Sequence, residues 1–380
     1  MAIKAGQLKE RADYQAYILE MLREENGYQV RPSTAYDPGY GMDVELLFSF
    51  LEATQPDELT RLEKLYGDKT RQTILNYINN EVNKKNRSLL DVLKHGVEFD
   101  NGVSLTLMYR KPATTFNQKA EALYQQNVLS VMEEVWHKEG ERIDLVIFLN
   151  GIAIFTFELK CNTSGQNYED AIRQYKFERD YKTRLLKFKA GCLAHFAMDL
   201  NEVYMCTNLK GKSSFFLPFN KGCGVGIHSG KGNPHNENGI NVSYMWEDIL
   251  KKDTVLYLID KIIFLQKESK KDPDTGKRVT RETLIFPRYH QFNAVRKLVA
   301  DVVEHHSERN YLIEHSAGSG KTNTIAWLAH RLVSLHDREN KVIFDTVCII
   351  TDRIVVDRQL QNAVLSLEHK AGLIKVMDEK

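Results

Sequence analysis

The sequence predicts an α/β protein in two parts, a mixed strand-and-helix domain followed by the opening of a P-loop domain. Three observations carry this reading. Strand-like runs at Gly102–Tyr109, Ile143–Phe148, Ala153–Leu159, Gly191–Met198 and Glu202–Thr207 flank a helical pattern over Glu169–Phe188. An Asn-Gly pair at 150–151 joins two of the apolar runs as a tight hairpin turn would. Further on, a glycine-rich turn separates a strand-like run, Asn310–Glu314, from a helical one, Lys321–Leu335, with another strand-like run at Val342–Thr351.

Composition is consistent with that class. Of 380 residues, 42% are hydrophobic and 27% charged, enough apolar surface for proper cores and too much for a disordered chain. Lys plus Arg (52) almost cancel Asp plus Glu (51), so attraction to nucleic acid would have to come from local patches. Five cysteines without a CxxC pair point to a reducing compartment, and Cys206, Cys223, His228 and His235 match no standard zinc spacing. The N-terminus has no secretory core, and the longest apolar runs, Leu145–Leu159 and Val255–Leu265, are too broken to span a bilayer. A cytoplasmic location without membrane contact is expected.

Residues 7–27 read as an amphipathic helix, 57–97 as charged helical segments, and the Gly/Asn/His-rich stretch 220–240 as a loop. The stretch 267–281 is strongly basic with turn signals. The expected division is a first domain over 1–266, a basic linker over 267–284 and an incomplete lobe over 285–380.

The segment 141–160, ERIDLVIFLNGIAIFTFELK, places an Asp at the start of one apolar strand and Glu-Leu-Lys at the end of the next. Glu158 and Lys160, two apart, share a strand face. Counting straight across a two-residue turn puts Asp144 near position 157, within reach of Glu158. Two carboxylates beside an ammonium suit a Mg²⁺-assisted attack of water on a phosphodiester: Asp144 and Glu158 hold the ion, and Lys160 orients or deprotonates the water. The alternative is a strand-end salt bridge. Downstream, Gln174 and Tyr181 would fall on one face of the following helix, where they contact substrate or simply form a polar stripe.

Residues 314–322, EHSAGSGKT, have the context and composition of a phosphate loop. Gly318, Ser319 and Gly320 would turn backbone N–H groups onto phosphate oxygens, Lys321 would reach the β/γ-phosphates, and Thr322 would ligate Mg²⁺. His315 stands where the strict pattern has a small residue. Gln291 is either an adenine contact or an ordinary surface residue. Asp352 and Arg353, at the end of a strand-like run, are either ligand contacts or a charged helix start. Asp378-Glu379 resembles an acidic Mg²⁺-holding pair but lacks the strand context, and receives no role.

Taken together, these segments resemble the restriction (R) subunit of type I restriction–modification enzymes. RIDLVIFLNGIAIFTFELK resembles that family's nuclease block, FPRYHQFNAVRKL its Q-motif, HSAGSGKTNTIAWLAHRL motif I, and ITDRIVVDRQLQ motif Ia. The resemblance implies a PD-(D/E)xK, restriction-endonuclease-like nuclease domain followed by part of a RecA-like P-loop domain of a superfamily-2 helicase. It implies metal-binding roles for Asp144 and Glu158, a catalytic role for Lys160, and an adenine contact for Gln291. Mg²⁺ and ATP are the implied cofactors; double-stranded DNA and the modification (methyltransferase) and specificity subunits are the implied partners. RecB-like nucleases often carry Gln-x-x-x-Tyr after the Lys, whereas here Glu178 stands four after Gln174. No acidic motif II, second lobe or arginine finger is recognised, so an N-terminal fragment with weak or no ATPase activity is expected. Two other readings remain: an ATP-dependent repair or recombination nuclease, and a non-cutting DNA-binding or assembly module.

Overall fold

The computed structural model describes residues 5–8, 11–114, 116–162, 165–223, 231–271, 276, 278–352, 354–367 and 374–375. It divides into two compact units, Met1–Lys111 with Gln118–Asp260, and Pro112–Asn117 with Lys261–Lys380. The first opens with α1 (Arg11–Glu24), the short strands β1 (Gln29–Val30), β2 (Tyr36–Asp37) and β3 (Met42–Asp43), and the helices α2 (Val44–Thr54), α3 (Pro56–Tyr66), α4 (Thr70–Asn83) and α5 (Leu89–His95). A small ribbon, β4 (Val97–Glu98) and β5 (Ser104–Leu105), precedes α6 (Gln118–Gln125). The main sheet is then laid down by β6 (Leu129–Lys138), β7 (Glu141–Leu149), β8 (Ile152–Leu159), α7 (Tyr168–Phe177), β9 (Ala194–Met198), β10 (Val203–Cys206) and β11 (Leu217–Pro218), with α8 (Lys252–Tyr257) closing the unit.

The sheet is mixed, in the order β1-β6-β7-β8-β9-β10-β11, with β3 joining β8 at Met42 and Ile152. β6, β7 and β8 form an antiparallel meander, while β8 and β9 run parallel. A parallel pair needs a crossover, and α7 supplies it. Every residue of β8 is buried, so both sheet faces are covered. β6 escapes a reading by apolar alternation because its second half, Glu133–Lys138, mixes charged and apolar residues.

The expected strand at 102–109 shrinks to Ser104–Leu105, because side-chain amides take its backbone groups in place of a ladder. Gln55 accepts from Thr106 N (2.7 Å) and donates to Thr106 O (2.9 Å), and Asn127 exchanges two hydrogen bonds with Tyr109. Asn150 donates to Leu107 O at 2.9 Å and to Asn127 Oδ1 at 3.0 Å, and accepts from Val128 N at 2.7 Å. Fully buried, it ties the β7–β8 turn to two other segments.

The helix expected over 169–188 stops at Phe177. Asn167 and Asp170 form a capping box at its start. Past its end, Asp180 N donates to Glu141 Oε2 (2.7 Å) and Asp180 Oδ1 accepts from Lys182 N (3.0 Å), which turns the chain away. On its inner face Tyr175 OH meets Thr156 Oγ1 at 2.8 Å, and Thr156 Oγ1 also meets His195 Nδ1 at 2.8 Å. This fully buried trio joins α7, β8 and β9.

The second unit holds β12 (Phe264–Lys271), β13 (Arg278–Ile285), α9 (Tyr289–His305), α10 (Lys321–Val333) and α11 (Ile354–Ser366). Of the stretch expected as a basic linker, 267–284, residues 267–271 and 278–284 therefore lie on two paired antiparallel strands, Lys267 opposite Glu282. The strands expected at 310–314 and 342–351 do not form. Leu312 is 94% and Ile350 92% exposed, and apolar runs become strands only where neighbours take their backbone groups; here the described pairing is a single bridge at the start of the second run, Val342 to His336, with Ile343 N donating to Leu335 O at 3.0 Å. Trp327 on α10 is buried, donating to Ile262 O at 2.7 Å. Among the described residues no helix is long and apolar enough to cross a membrane.

Two measurements test this anatomy. Asn150→Ala removes the partners of Leu107 O and Val128 N and should cost about 2–4 kcal/mol in chemical denaturation, at 1–3 kcal/mol per unsatisfied group; a loss within error would contradict the assigned role. Burial pushes His195 down to about 3. Its neutral form is favoured by folding, so its contribution is complete above the ordinary histidine value and is lost as pH falls from there toward 3. The slope approaches about 1.4 kcal/mol per pH unit in that window. Denaturation of His195→Asn against wild type should show a shallower acid slope.

Candidate active site

Asp144 and Glu158 are brought together by the β7–β8 hairpin. Its turn has Asn150 at φ 51° and Gly151 at φ 81°, both left-handed as a tight hairpin turn requires. A Cβ on Gly151 would lie 2.5 Å from Asp43 O and Leu47 N, so only glycine fits under α2. Next to the turn, Leu149 faces Ile152 and Phe148 faces Ala153; farther out, Ile147 faces Phe155 and Leu145 faces Phe157. One extra residue on β8 shifts the register between these pairs. Continued by one step, this register sets Asp144 against Glu158 and corrects the straight count to position 157. Directly opposed residues share a face, so the two carboxylates emerge side by side.

The surroundings are dry. Asp144 and Glu158 are completely buried and Lys160 is 3% exposed. Asp144 Oδ2 accepts from Leu159 N at 2.8 Å, and Arg179 Nε donates to Glu158 Oε1 at 2.7 Å. Lys160 donates its ammonium to Leu159 O at 3.2 Å and its backbone N–H to Met198 O at 2.9 Å, which anchors the end of β8 to β9. Glu158 Oε2 is buried with no hydrogen-bond partner. Burial, then the charge of Asp144, holds the Glu158 carboxyl well above the usual carboxylate range, against the pull of Arg179 and Lys160. Hard oxygen donors, one of them unsatisfied, fit a Mg²⁺-type ion. Among the described residues no group of three or more His, Cys, Asp or Glu is arranged to hold a metal, so the candidate rests on two carboxylates.

Three neighbours escaped the sequence reading. Arg179 follows α7, and its Arg-Asp context reads as ordinary surface charge until the sheet places Glu158 beneath it. His137 is buried, with Nδ1 3.1 Å from Thr183 Oγ1, and burial pushes its imidazole down to about 4. Glu134 lies in β6 between Glu133, opposite Leu145, and Val135, opposite Ile143, which puts it level with Asp144. Its φ of 51° inside a strand stores strain of about 1–3 kcal/mol, and it pairs with Arg142. Only the break in alternation along LSVMEEVWHK hints at it.

Gln174 and Tyr181 do not share a helix face, since α7 ends between them. Gln174 lies on α7 with a buried Oε1 that has no partner, whereas Tyr181 packs against the apolar core that includes Leu185 and Phe216.

In the second unit, Gly318 (φ 74°) and Gly320 (φ 86°) shape the glycine-rich loop, and Gly320 caps α10. Gln291 is drawn onto this loop: its Nε2 donates to Gly320 O at 2.8 Å and its Oε1 accepts from Arg288 N at 2.8 Å. A Cβ on Gly320 would lie 2.4 Å from Gln291 Nε2, so glycine is required for that approach. His290 donates a ring N–H to Ser319 O at 3.1 Å. Lys321 folds back to His315 O at 2.6 Å and Ser316 O at 3.3 Å. Ser319 is buried with an unpartnered Oγ, and Thr322 is half-buried on the first turn of α10. Asp352 is exposed; Arg353, His228 and Asp378-Glu379 lie outside the described residues.

Comparison with known proteins gives two family matches: residues 7–214 with the type I restriction enzyme R protein N terminus, and residues 290–377 with the SWI2/SNF2 ATPase. Three relatives come from Methanocaldococcus jannaschii. The putative type I restriction enzyme MjaVIIIP endonuclease subunit is 26% identical over 324 residues, 80% of this chain and 27% of that protein. The MjaIXP counterpart is 22% identical over 398 residues, 98% of this chain and 35% of that protein. The MjaVIIP counterpart is 24% identical over 247 residues, 61% of this chain and 20% of that protein. The chain thus spans about a third or less of the curated relatives it matches. Because the first match covers more than half of the chain and contains the whole β7–β8 hairpin, the protein belongs to the family of type I restriction enzyme R protein N-terminal regions.

Proposed function

We propose that this chain is the nuclease and the start of the motor of a type I restriction enzyme, cutting double-stranded DNA by Mg²⁺-dependent phosphodiester hydrolysis. One observation carries the reading: the register-shifted hairpin buries Asp144 against Glu158 with Lys160 beside them, and leaves Glu158 Oε2 without a partner. Three ionisable side chains enclosed together are costly for stability alone and are expected where chemistry needs them. The first unit would be a PD-(D/E)xK nuclease, and the second would open a RecA-like lobe that binds ATP and moves DNA.

Asp144 and Glu158 would hold the ion. When bound, Mg²⁺ supplies polarisation of the phosphodiester and a more acidic water. Asp144 is fixed by the Leu159 N–H, so its second oxygen is oriented without large motion. Lys160 carries its ammonium at the strand end, where it can orient the attacking water and balance charge building on the phosphate. Gln174 and Asp352 remain candidates for DNA contact; Tyr181, packed on the core, is better suited to supporting the segment that bears Arg179. The modification and specificity subunits would be its partners, with a separate subunit reading the DNA site, as the family resemblance implies.

Plasmid cleavage by the full-length subunit, assembled with its modification and specificity subunits, tests this. Asp144→Asn, Glu158→Gln and Lys160→Ala should each lower cleavage about a hundredfold or more, since each removes a group from the reacting centre, and chelation should abolish it. Equal cleavage by all three variants would leave a non-cutting DNA-binding module. For the second unit, Lys321→Ala should weaken binding of a fluorescent ATP analogue about ten- to a hundredfold, the scale of a lost charge-assisted contact. Unchanged affinity would remove Lys321 from the nucleotide site.

A further inference from the structure

At the ends of β7 and β8 two carboxylates and two cations are enclosed together. Asp144 and Glu158 are fully buried, Lys160 nearly so, and the Arg179 side chain is only 10% exposed. With both acids ionised, as ion binding requires, their formal charges cancel. Within this set Glu158 is asymmetric: Oε1 takes Arg179 Nε at 2.7 Å, while the equally buried Oε2 takes no hydrogen bond.

The backbone that delivers Arg179 is held independently of Glu158. On one side Glu178 N donates to Gln174 O at 2.8 Å, closing the last turn of α7. On the other, Asp180 N donates to Glu141 Oε2 at 2.7 Å, and the Asp180 carboxylate takes Lys138 Nζ at 3.0 Å. With both flanks fixed, the guanidinium is set against Glu158 by the fold rather than by its own charge. Nε of an arginine is a single fixed donor in a planar fork, so it selects one carboxylate oxygen and fixes the rotation of the other.

We propose that Arg179 is the built-in counter-cation of the acid pair, a positioning residue that locks Glu158 Oε1, presents Oε2 as the open donor, and makes divalent-cation binding depend on the arrival of a DNA phosphodiester. The reasoning is Coulombic. A divalent ion entering a neutral, water-poor enclosure meets two fixed cations at short range, where screening is weak. A phosphodiester brought in at the same time offsets that repulsion, so each ligand improves binding of the other. A site without Arg179 carries net negative charge and accepts the ion by itself. The proposal rests on the nuclease reading of Asp144 and Glu158.

Mn²⁺ titration of the 380-residue chain, followed by the paramagnetic resonance of the free ion with and without a short blunt-ended duplex, tests it. Wild type should bind Mn²⁺ weakly alone and about tenfold or more tightly with duplex, within the usual range of coupling. Arg179→Met should bind Mn²⁺ alone about tenfold more tightly than wild type and lose most of the duplex effect. Arg179→Lys, which keeps the charge, should stay close to wild type in ion affinity. Thermal melting checks that each variant is folded; if Arg179→Met does not fold, Arg179→Gln replaces it with the same expected gain. A neutral variant that binds Mn²⁺ no more tightly than wild type, or a wild type indifferent to duplex, overturns the proposal. Asp144→Asn separates the two levels: if it binds Mn²⁺ as wild type does, the acid-pair reading itself fails and the role of Arg179 falls with it.

Discussion

The first unit depends on the pairing of β7 with β8, and that pairing depends on one extra residue. A regular two-residue hairpin would set Asp144 against Phe157 and point the two carboxylates to opposite faces of the sheet, because strand side chains alternate. The shift between Ile147 and Phe148 brings Asp144 level with Glu158. The turn is therefore specified unusually firmly. Asn150 and Gly151 take left-handed angles, Asn150 spends both ends of its amide on other segments, and Gly151 lies beneath α2 where a methyl group would collide. A slip of one residue would bury the same hydrophobic strands but separate the acids.

The enclosure around those acids is built from the opposite side of the same argument. Charge held away from water must be compensated in place. α7 is the element that supplies the compensation. Tyr175, Thr156 and His195 form a buried hydrogen-bonded link that seats the helix on the strand face bearing Glu158, and the turn after Phe177 then drops Arg179 onto the carboxylate. The early end of α7 is thus what makes the arrangement possible: a helix continued through residue 188, as its polar periodicity suggested, would have carried Arg179 along its own axis.

What was legible in the sequence follows from range. The hairpin, the Glu-x-Lys strand end and the glycine-rich loop are local, and each could be read from a few neighbouring residues. Glu134, His137 and Arg179 could not, because their meaning arises only when β6, β7, β8 and α7 are placed side by side. The failed strand at 102–109 has the same origin. Its apolar alternation is real, but Gln55, Asn127 and Asn150, which lie far from it in the chain, take its backbone groups. Periodicity reports which residues want burial; it does not report which partner satisfies the main chain.

The glycine-rich loop shows the complementary case, a local signal legible without its surroundings. Its donors and acceptors are turned inward: Lys321 on two loop carbonyls, Gln291 on Gly320 O, His290 on Ser319 O. An ammonium resting on carbonyl oxygens makes weaker contacts than it would with phosphate, because a carbonyl carries only a partial charge. The flanking runs that hold Leu312 and Ile350 are apolar and stand in none of the described sheets, a single bridge from Val342 to His336 aside. The left-handed angles of Gly318 and Gly320 are a local property of the loop, whereas its place in a larger architecture depends on residues far from it in the chain. The β7–β8 hairpin differs in this respect: every strand it needs to hold Asp144 and Glu158 lies within the first unit.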